Sequence, residues 1–180
     1  DPAFPQWVKD VQALPAEQQI EAVSKKLMEL NPEFDGKLLG WNGNNSPMIE
    51  GGKVTELTIA INGVSDLSPL RVWMGLKILQ CAGNPVKRTL SDLSPLKGMQ
   101  LTTFMLIYSQ VSDLSPLTGM PITYLNTDVT PTDEKFLKGM PLKILYFTIS
   151  DLSLLREMPL ERLSCTLSQN SDPSLLAECK

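Results

Sequence analysis

The sequence predicts an α/β solenoid. Its short parallel strands form one sheet on the concave side, with 3-10 or single-turn helices on the convex side and a helical N-terminal cap. Three observations predict it. First, four segments read nearly alike: Val64-Ser65-Asp66-Leu67-Ser68-Pro69-Leu70, Leu90-Ser91-Asp92-Leu93-Ser94-Pro95-Leu96, Val111-Ser112-Asp113-Leu114-Ser115-Pro116-Leu117 and Ile149-Ser150-Asp151-Leu152-Ser153-Leu154-Leu155. Self-similarity at about 20 residues marks units that bury an apolar face only by stacking on one another. Second, each unit opens on an apolar triplet whose last two members alternate, the period of a strand with one buried face. Third, Gly98, Gly119 and Gly139 recur just after the shared segment, where a short helical turn must stop.

Residues 1–52 do not repeat and read as a cap. Pro5 to Ala13 predicts a short helix with Trp7, Val8, Val11 and Leu14 on one side. Pro15 fits the first helical position, and Ile20, Val23, Leu27 and Leu30 continue a helix that Asn31-Pro32 stops. Two such helices are expected to cover the open edge of the first strand. The Gly-, Asn- and Pro-rich stretch from Gly36 to Gly52 reads as loop, with Trp41 pinned against the cap.

The array spans residues 53–167. Its triplets are Val54/Leu57/Ile59, Leu76/Leu79/Cys81, Leu101/Phe104/Leu106, Ile122/Leu125/Thr127, Leu142/Leu145/Phe147 and Leu160/Leu163/Cys165. A polar residue follows (Asn62, Asn84, Ser109, Thr130, Ser168) and can satisfy backbone groups leaving the strand. In Asp-Leu-Ser-Pro-Leu the serine hydroxyl is expected to cap a turn that proline opens. That turn is too short for a full α-helix, hence 3-10 or a single α turn. Met99, Met120, Met140 and Met158 are expected to fill the core beside it. The recurring aspartates lie 26, 21, 20, 18 and 21 residues apart, from Asp66 to Asp172. The long first interval holds an insertion, Val86-Lys87-Arg88-Thr89, and residues 168–180 read as a C-terminal cap.

Leu-x-x-Leu-x-Leu followed by a polar turn residue resembles the leucine-rich-repeat family. The Val/Ile-Ser-Asp-Leu-Ser-Pro-Leu tail resembles its short-turn, internalin-like subgroup. Val111 to Pro121 is similar to bacterial tandem repeats, often appended to serine/threonine kinases or other multidomain proteins. Trp7-Val8-Lys9 to Leu30, with Asn31-Pro32-Glu33-Phe34-Asp35-Gly36, resembles the segment that precedes those arrays. This resemblance implies the fold and is nearly silent on function. Trp73-Met74-Gly75 in place of Gly-Met-Pro, and Leu154 in place of proline, should leave local irregularities.

Composition narrows the function. Hydrophobic residues make up 42% and charged residues 20%, as in a soluble globular domain. Sixteen basic against 20 acidic side chains give a net charge of −4, and no basic cluster exceeds Lys25-Lys26 or Lys87-Arg88, so nucleic acid is disfavoured. No apolar run approaches the roughly 18–20 residues of a membrane span. The chain opens at Asp1 and reads as a piece of something longer. Cys81, Cys165 and Cys179 lack metal spacing. Cys81 and Cys165 fall at inward positions, and a Cys165–Cys179 bridge is open if the compartment oxidises. The compartment stays open, leaning to the extracytoplasmic side.

There is no histidine, which removes the commonest general base and metal ligand. With no phosphate-cradling loop and no carboxylate pair apart from the solvated background, neither catalysis nor a cofactor is expected. The aspartate column could gather Ca²⁺, but each carboxylate is better placed to accept amides of its own turn.

The outward strand positions are the better candidate. Position three reads Glu56, Ile78, Thr103, Tyr124, Ile144, Arg162; position five reads Thr58, Gln80, Met105, Asn126, Tyr146, Ser164; position seven reads Ala60, Ala82, Ile107, Asp128, Thr148, Thr166. The candidate partner-binding residues are Ile78, Met105, Ile107, Tyr124, Asn126, Asp128, Ile144, Tyr146 and Arg162. An apolar, aromatic centre within a polar surround suits a protein partner, with Tyr124 and Tyr146 as anchors. The expected function is a non-catalytic, monomeric protein-interaction module. The alternatives are a spacer or regulatory module of a larger kinase-linked or surface protein, and carbohydrate binding through Tyr124, Tyr146, Asn126 and Asp128. A one-residue shift of register would turn the same side chains into core.

Overall fold

A computed structural model describes residues 2–167. Eight strands form one sheet: β1 Leu38–Leu39, β2 Met48–Glu50, β3 Lys53–Ala60, β4 Ile78–Ala82, β5 Thr103–Ile107, β6 Tyr124–Thr127, β7 Ile144–Ile149 and β8 Arg162–Leu167. From β3 to β8 they lie in sequence order, each parallel to the next. Equivalent repeat positions are direct neighbours: Leu57, Leu79, Phe104, Leu125, Leu145 and Leu163 make one continuous row. That row points into the core, and its first five members are wholly buried. Each buried aliphatic side chain of this kind stabilises the fold by about 1.5–3 kcal/mol, and no coil has enough of them to stand alone.

Opposite the sheet run 3-10 turns at Ser68–Trp73, Ser94–Leu96, Ser115–Leu117, Lys135–Leu137 and Leu152–Leu155. Aspartate, not serine, caps them. An Oδ1 of Asp66, Asp92, Asp113, Asp133 or Asp151 accepts the amide two residues on, at 2.7, 2.7, 2.8, 2.8 and 3.0 Å. Serine is itself the first residue of the turn in the first three coils, so the carboxylate one step before the preceding leucine reaches the orphan amide instead. Gly98, Gly119 and Gly139 end their turns at φ of 84°, 75° and 77°, the left-handed region the stop requires. Met99, Met120, Met140 and Met158 are buried beside them. The irregular sites are where the departures fell: the turn ending in Trp73 is six residues long, and the one containing Leu154 is four.

Asn62, Asn84 and Ser109 accept backbone amides where the chain leaves its strand. Thr130 is exposed, and in its coil Thr127 Oγ1 takes the amide of Val129 at 3.1 Å. Buried Thr127 thus serves the exit turn from the triplet position itself. Cys81 is wholly buried and Cys165 partly so. Ser168, Asp172 and Cys179, with the proposed C-terminal cap, lie outside the described residues.

The cap differs from expectation in how it closes the array. Helices α1 (Phe4–Gln12) and α2 (Ala16–Leu30) pack on the Ser68–Trp73 turn, not on the strand edge. Pro15 precedes α2 with ψ of 150°, one residue outside the first turn. Trp73 Nε1 donates to Gln19 Oε1 at 2.9 Å, and Gln12 Nε2 donates to the Val72 carbonyl at 3.1 Å. The edge of β3 is covered instead by β1 and β2, both antiparallel to it. They arise inside the stretch that reads as loop, because two or three residues are too few to show a period in sequence. The two-residue Gly51-Gly52 turn, both at positive φ, folds β2 back onto β3.

Candidate functional site

The alternation that buries Leu57, Leu79 and Leu125 sends their neighbours to the open side of the sheet. There the position-three row is continuous, Glu56–Ile78–Thr103–Tyr124–Ile144–Arg162, as is the position-five row, Thr58–Gln80–Met105–Asn126–Tyr146–Ser164. Ile78, Met105, Ile107, Tyr124, Asn126, Ile144 and Tyr146 are half-buried, packed side by side yet facing out, while Arg162 is exposed. No side chain of the group is in the core, so the register is the expected one.

The tyrosines on adjacent strands form a pair with ring centroids 6.0 Å apart and planes at 46°. A third aromatic joins them. Trp41 meets Tyr124 edge-on, with centroids 6.4 Å apart and planes at 85°. Trp41 does not rest against the helices, as the sequence suggests. Its segment bridges β1 and β2, both tied to β3, and the Trp41–Gly43 turn leans over β3 and β4. The Gly40 amide donates to the Asn44 carbonyl at 2.9 Å and fixes that turn. Nothing in a Gly/Asn-rich stretch shows which way its one aromatic residue points, so sequence reading missed Trp41.

At the far end Arg162 lies beside Tyr146. The Tyr146 hydroxyl, as a hydrogen-bond partner, is the largest cause holding the guanidinium above its ordinary pKa. Arg162 forms no ion pair with a carboxylate among the described residues, whereas neighbouring Lys143 pairs with Glu161 at 2.9 Å.

Asp128 stands apart from the other candidates. It lies just past β6, exposed, and both its carboxylate oxygens accept the Tyr108 amide, at 3.0 and 3.1 Å. Tyr108 has φ of 60°, the left-handed region that a side chain enters at a cost of about 1–2 kcal/mol. Arg88, from the insertion, stacks over its ring with 5.3 Å to the centroid.

A second concavity lies on the turn side. A groove of about 840 Å³ separates α1 from the first two turns and is lined by Phe4, Val8, Lys9, Asp66, Arg71 and Asp92. Its two carboxylates are spent on capping their own turns, and its charges are mixed. The open face holds the denser set of uncommitted aromatic and aliphatic groups.

No family model matches the chain, and no curated protein does so in sequence. Among solved structures, an internalin (inlF) from Listeria monocytogenes aligns with a TM-score of 0.57 at 18% identity, over 92% of this chain and 50% of that one. Internalin C2 (inlC2) of the same organism aligns with a TM-score of 0.49 at 19% identity, over 93% of this chain and 95% of that one. The chain thus spans about half the length of the first of these. With the in-register parallel sheet, the 3-10 turns and the helices packed at one end, the first likeness makes the fold a leucine-rich-repeat solenoid with an N-terminal helical cap.

Proposed function

We propose that the chain is a non-catalytic interaction module that docks a polypeptide partner on the open face of its sheet. One observation carries the reading: Trp41, Tyr124 and Tyr146 form a contiguous aromatic strip beside half-buried Met105, Ile107 and Ile144. Aromatic anchors ringed by partly desolvated aliphatics are what concentrates binding energy at protein interfaces. The same side chains give a sugar little to bond. Asn126 is at hand, but Asp128, the other polar group a glycan would use, already holds the Tyr108 amide.

Panning a random octapeptide display library against the full chain tests this. Peptides that bind should lose roughly thirtyfold in affinity when Tyr124→Ala and Tyr146→Ala are combined, the equivalent of about 2 kcal/mol for removing anchors of this kind. The far-UV circular dichroism of the double variant should be unchanged, because neither ring lies in the core. Bound peptides indifferent to both substitutions would move the docking site elsewhere.

A further inference from the structure

The position-three row of the open face is charged only at its two ends. Among its described strand positions the carboxylate is Glu56 on β3 and the cation is Arg162 on β8. Five strand spacings of about 4.8 Å put them about 24 Å apart, well beyond the screening length of about 8 Å at physiological salt. Glu56 therefore cannot neutralise Arg162. Among the described residues no carboxylate pairs with Arg162, and the adjoining Glu161 is bound to Lys143 instead. The guanidinium stands exposed beside the Tyr146 hydroxyl, directly continuing the aromatic strip.

We infer that the face takes an acidic polypeptide segment, whose carboxylate seats on Arg162 while its adjoining apolar side chains lie on Tyr146, Tyr124 and Trp41. The inference rests on the docking reading above and adds the chemistry of the partner. A guanidinium presents a planar fork that two carboxylate oxygens fit together, and the Tyr146 hydroxyl restricts its swing. A dianionic phosphate would call for a second cation. Lys143, the residue just before the neighbouring strand β7, is occupied by Glu161. The chain as a whole is acidic, at −4, so this one positive end also selects the orientation in which an acidic segment can approach.

The same octapeptide library separates the two proposals. Peptides selected on the full chain should be enriched in Asp or Glu beside an aromatic or aliphatic residue. Arg162→Gln should weaken the selected peptides about tenfold. Arg162→Lys should weaken them by less, since charge remains and only the fork is lost. Arg162→Glu should turn the selected pool toward Lys and Arg. Raising the salt should weaken binding to the wild type and leave binding to Arg162→Gln nearly unchanged. Peptides that need the two tyrosines, yet show no acidic enrichment and ignore Arg162→Gln, would overturn this inference and leave the docking face standing. Peptides that ignore both would overturn both. Arg162 is exposed, so its variants should fold, and circular dichroism of each confirms that the comparison is like for like.

Discussion

The side-chain amide of Asn31 donates to the backbone carbonyl of Asp66 at 2.9 Å, while its oxygen accepts the amides of Ser65 and Asp66 at 2.8 and 2.9 Å. The same amide also donates to Leu27, so one buried side chain ends α2 and fastens it to the first repeat. Asn31→Ala should cost about 3 kcal/mol, since several buried backbone groups lose their partners together. In a chain of this size that lowers Tm by on the order of 10 °C. Asn31→Asp should do no better, because a carboxylate would face the two carbonyls that the amide now satisfies. Thermal melts decide it, and a fall of a degree or two would show that the helices are held by packing alone.

Trp41 and Tyr124 should be energetically coupled by about 0.5–1.5 kcal/mol, the range for edge-to-face aromatic pairs. A double-mutant cycle of Trp41→Phe and Tyr124→Leu, followed by urea unfolding, measures that term. Additive effects would mean that Trp41 sits over the face without leaning on it.

Burial pushes the Cys81 thiol up to about 12. A raised value in the folded state means the unfolded chain gives up this proton first. The stability it contributes is therefore complete below about pH 8.5, the ordinary thiol value, and is lost as pH rises toward the folded one. Within that window the loss approaches about 1.4 kcal/mol per pH unit. Cys81→Ala should be less stable than the wild type at pH 7, with a gap that narrows steadily toward pH 11. Lysine and tyrosine titrations are common to both proteins, so parallel stability curves would refute the assignment.

The Asp113 carboxyl is held below its usual range by the Ser115 hydroxyl and then by the Ser115 amide, the latter at 2.8 Å. With a depressed folded value, its contribution is present above the unfolded pKa of about 3.9 and is lost as pH falls through the folded one. Carboxyl-detected NMR titration should place Asp113 below an ordinary aspartate. Ser115→Ala should bring the midpoint back up part of the way, and an unmoved midpoint would leave the amide as the sole cause.

Much of the fold was legible because stacking repeats the same physical demand in every coil. The row from Leu57 to Leu163 could be read from alternation alone, and so could the outward rows holding Tyr124, Tyr146 and Arg162. The aspartate column was legible too, since a carboxylate two residues before an orphan amide has few other uses. The serine beside each aspartate reads as a capping candidate as well, and only the observed turn start separates the two. Strands β1 and β2 were hidden because their pairing is dictated by β3 rather than by any period of their own. Trp41 and Asp128 illustrate the remaining gap. One is aimed by a turn between two strand fragments. The other answers a left-handed tyrosine 20 residues away, and residue type alone signals neither.

The antiparallel pair on β3 has one more effect. Leu38 and Leu39 pair with Ile59 and Thr58, and Met48, Ile49 and Glu50 with Glu56, Val54 and Lys53 across a register shift, so most of the row of amides and carbonyls that begins the wall is already spoken for. A strand from another molecule finds no template there to zip onto, and the flank nearest Trp41 is shielded from aggregation by the chain's own backbone.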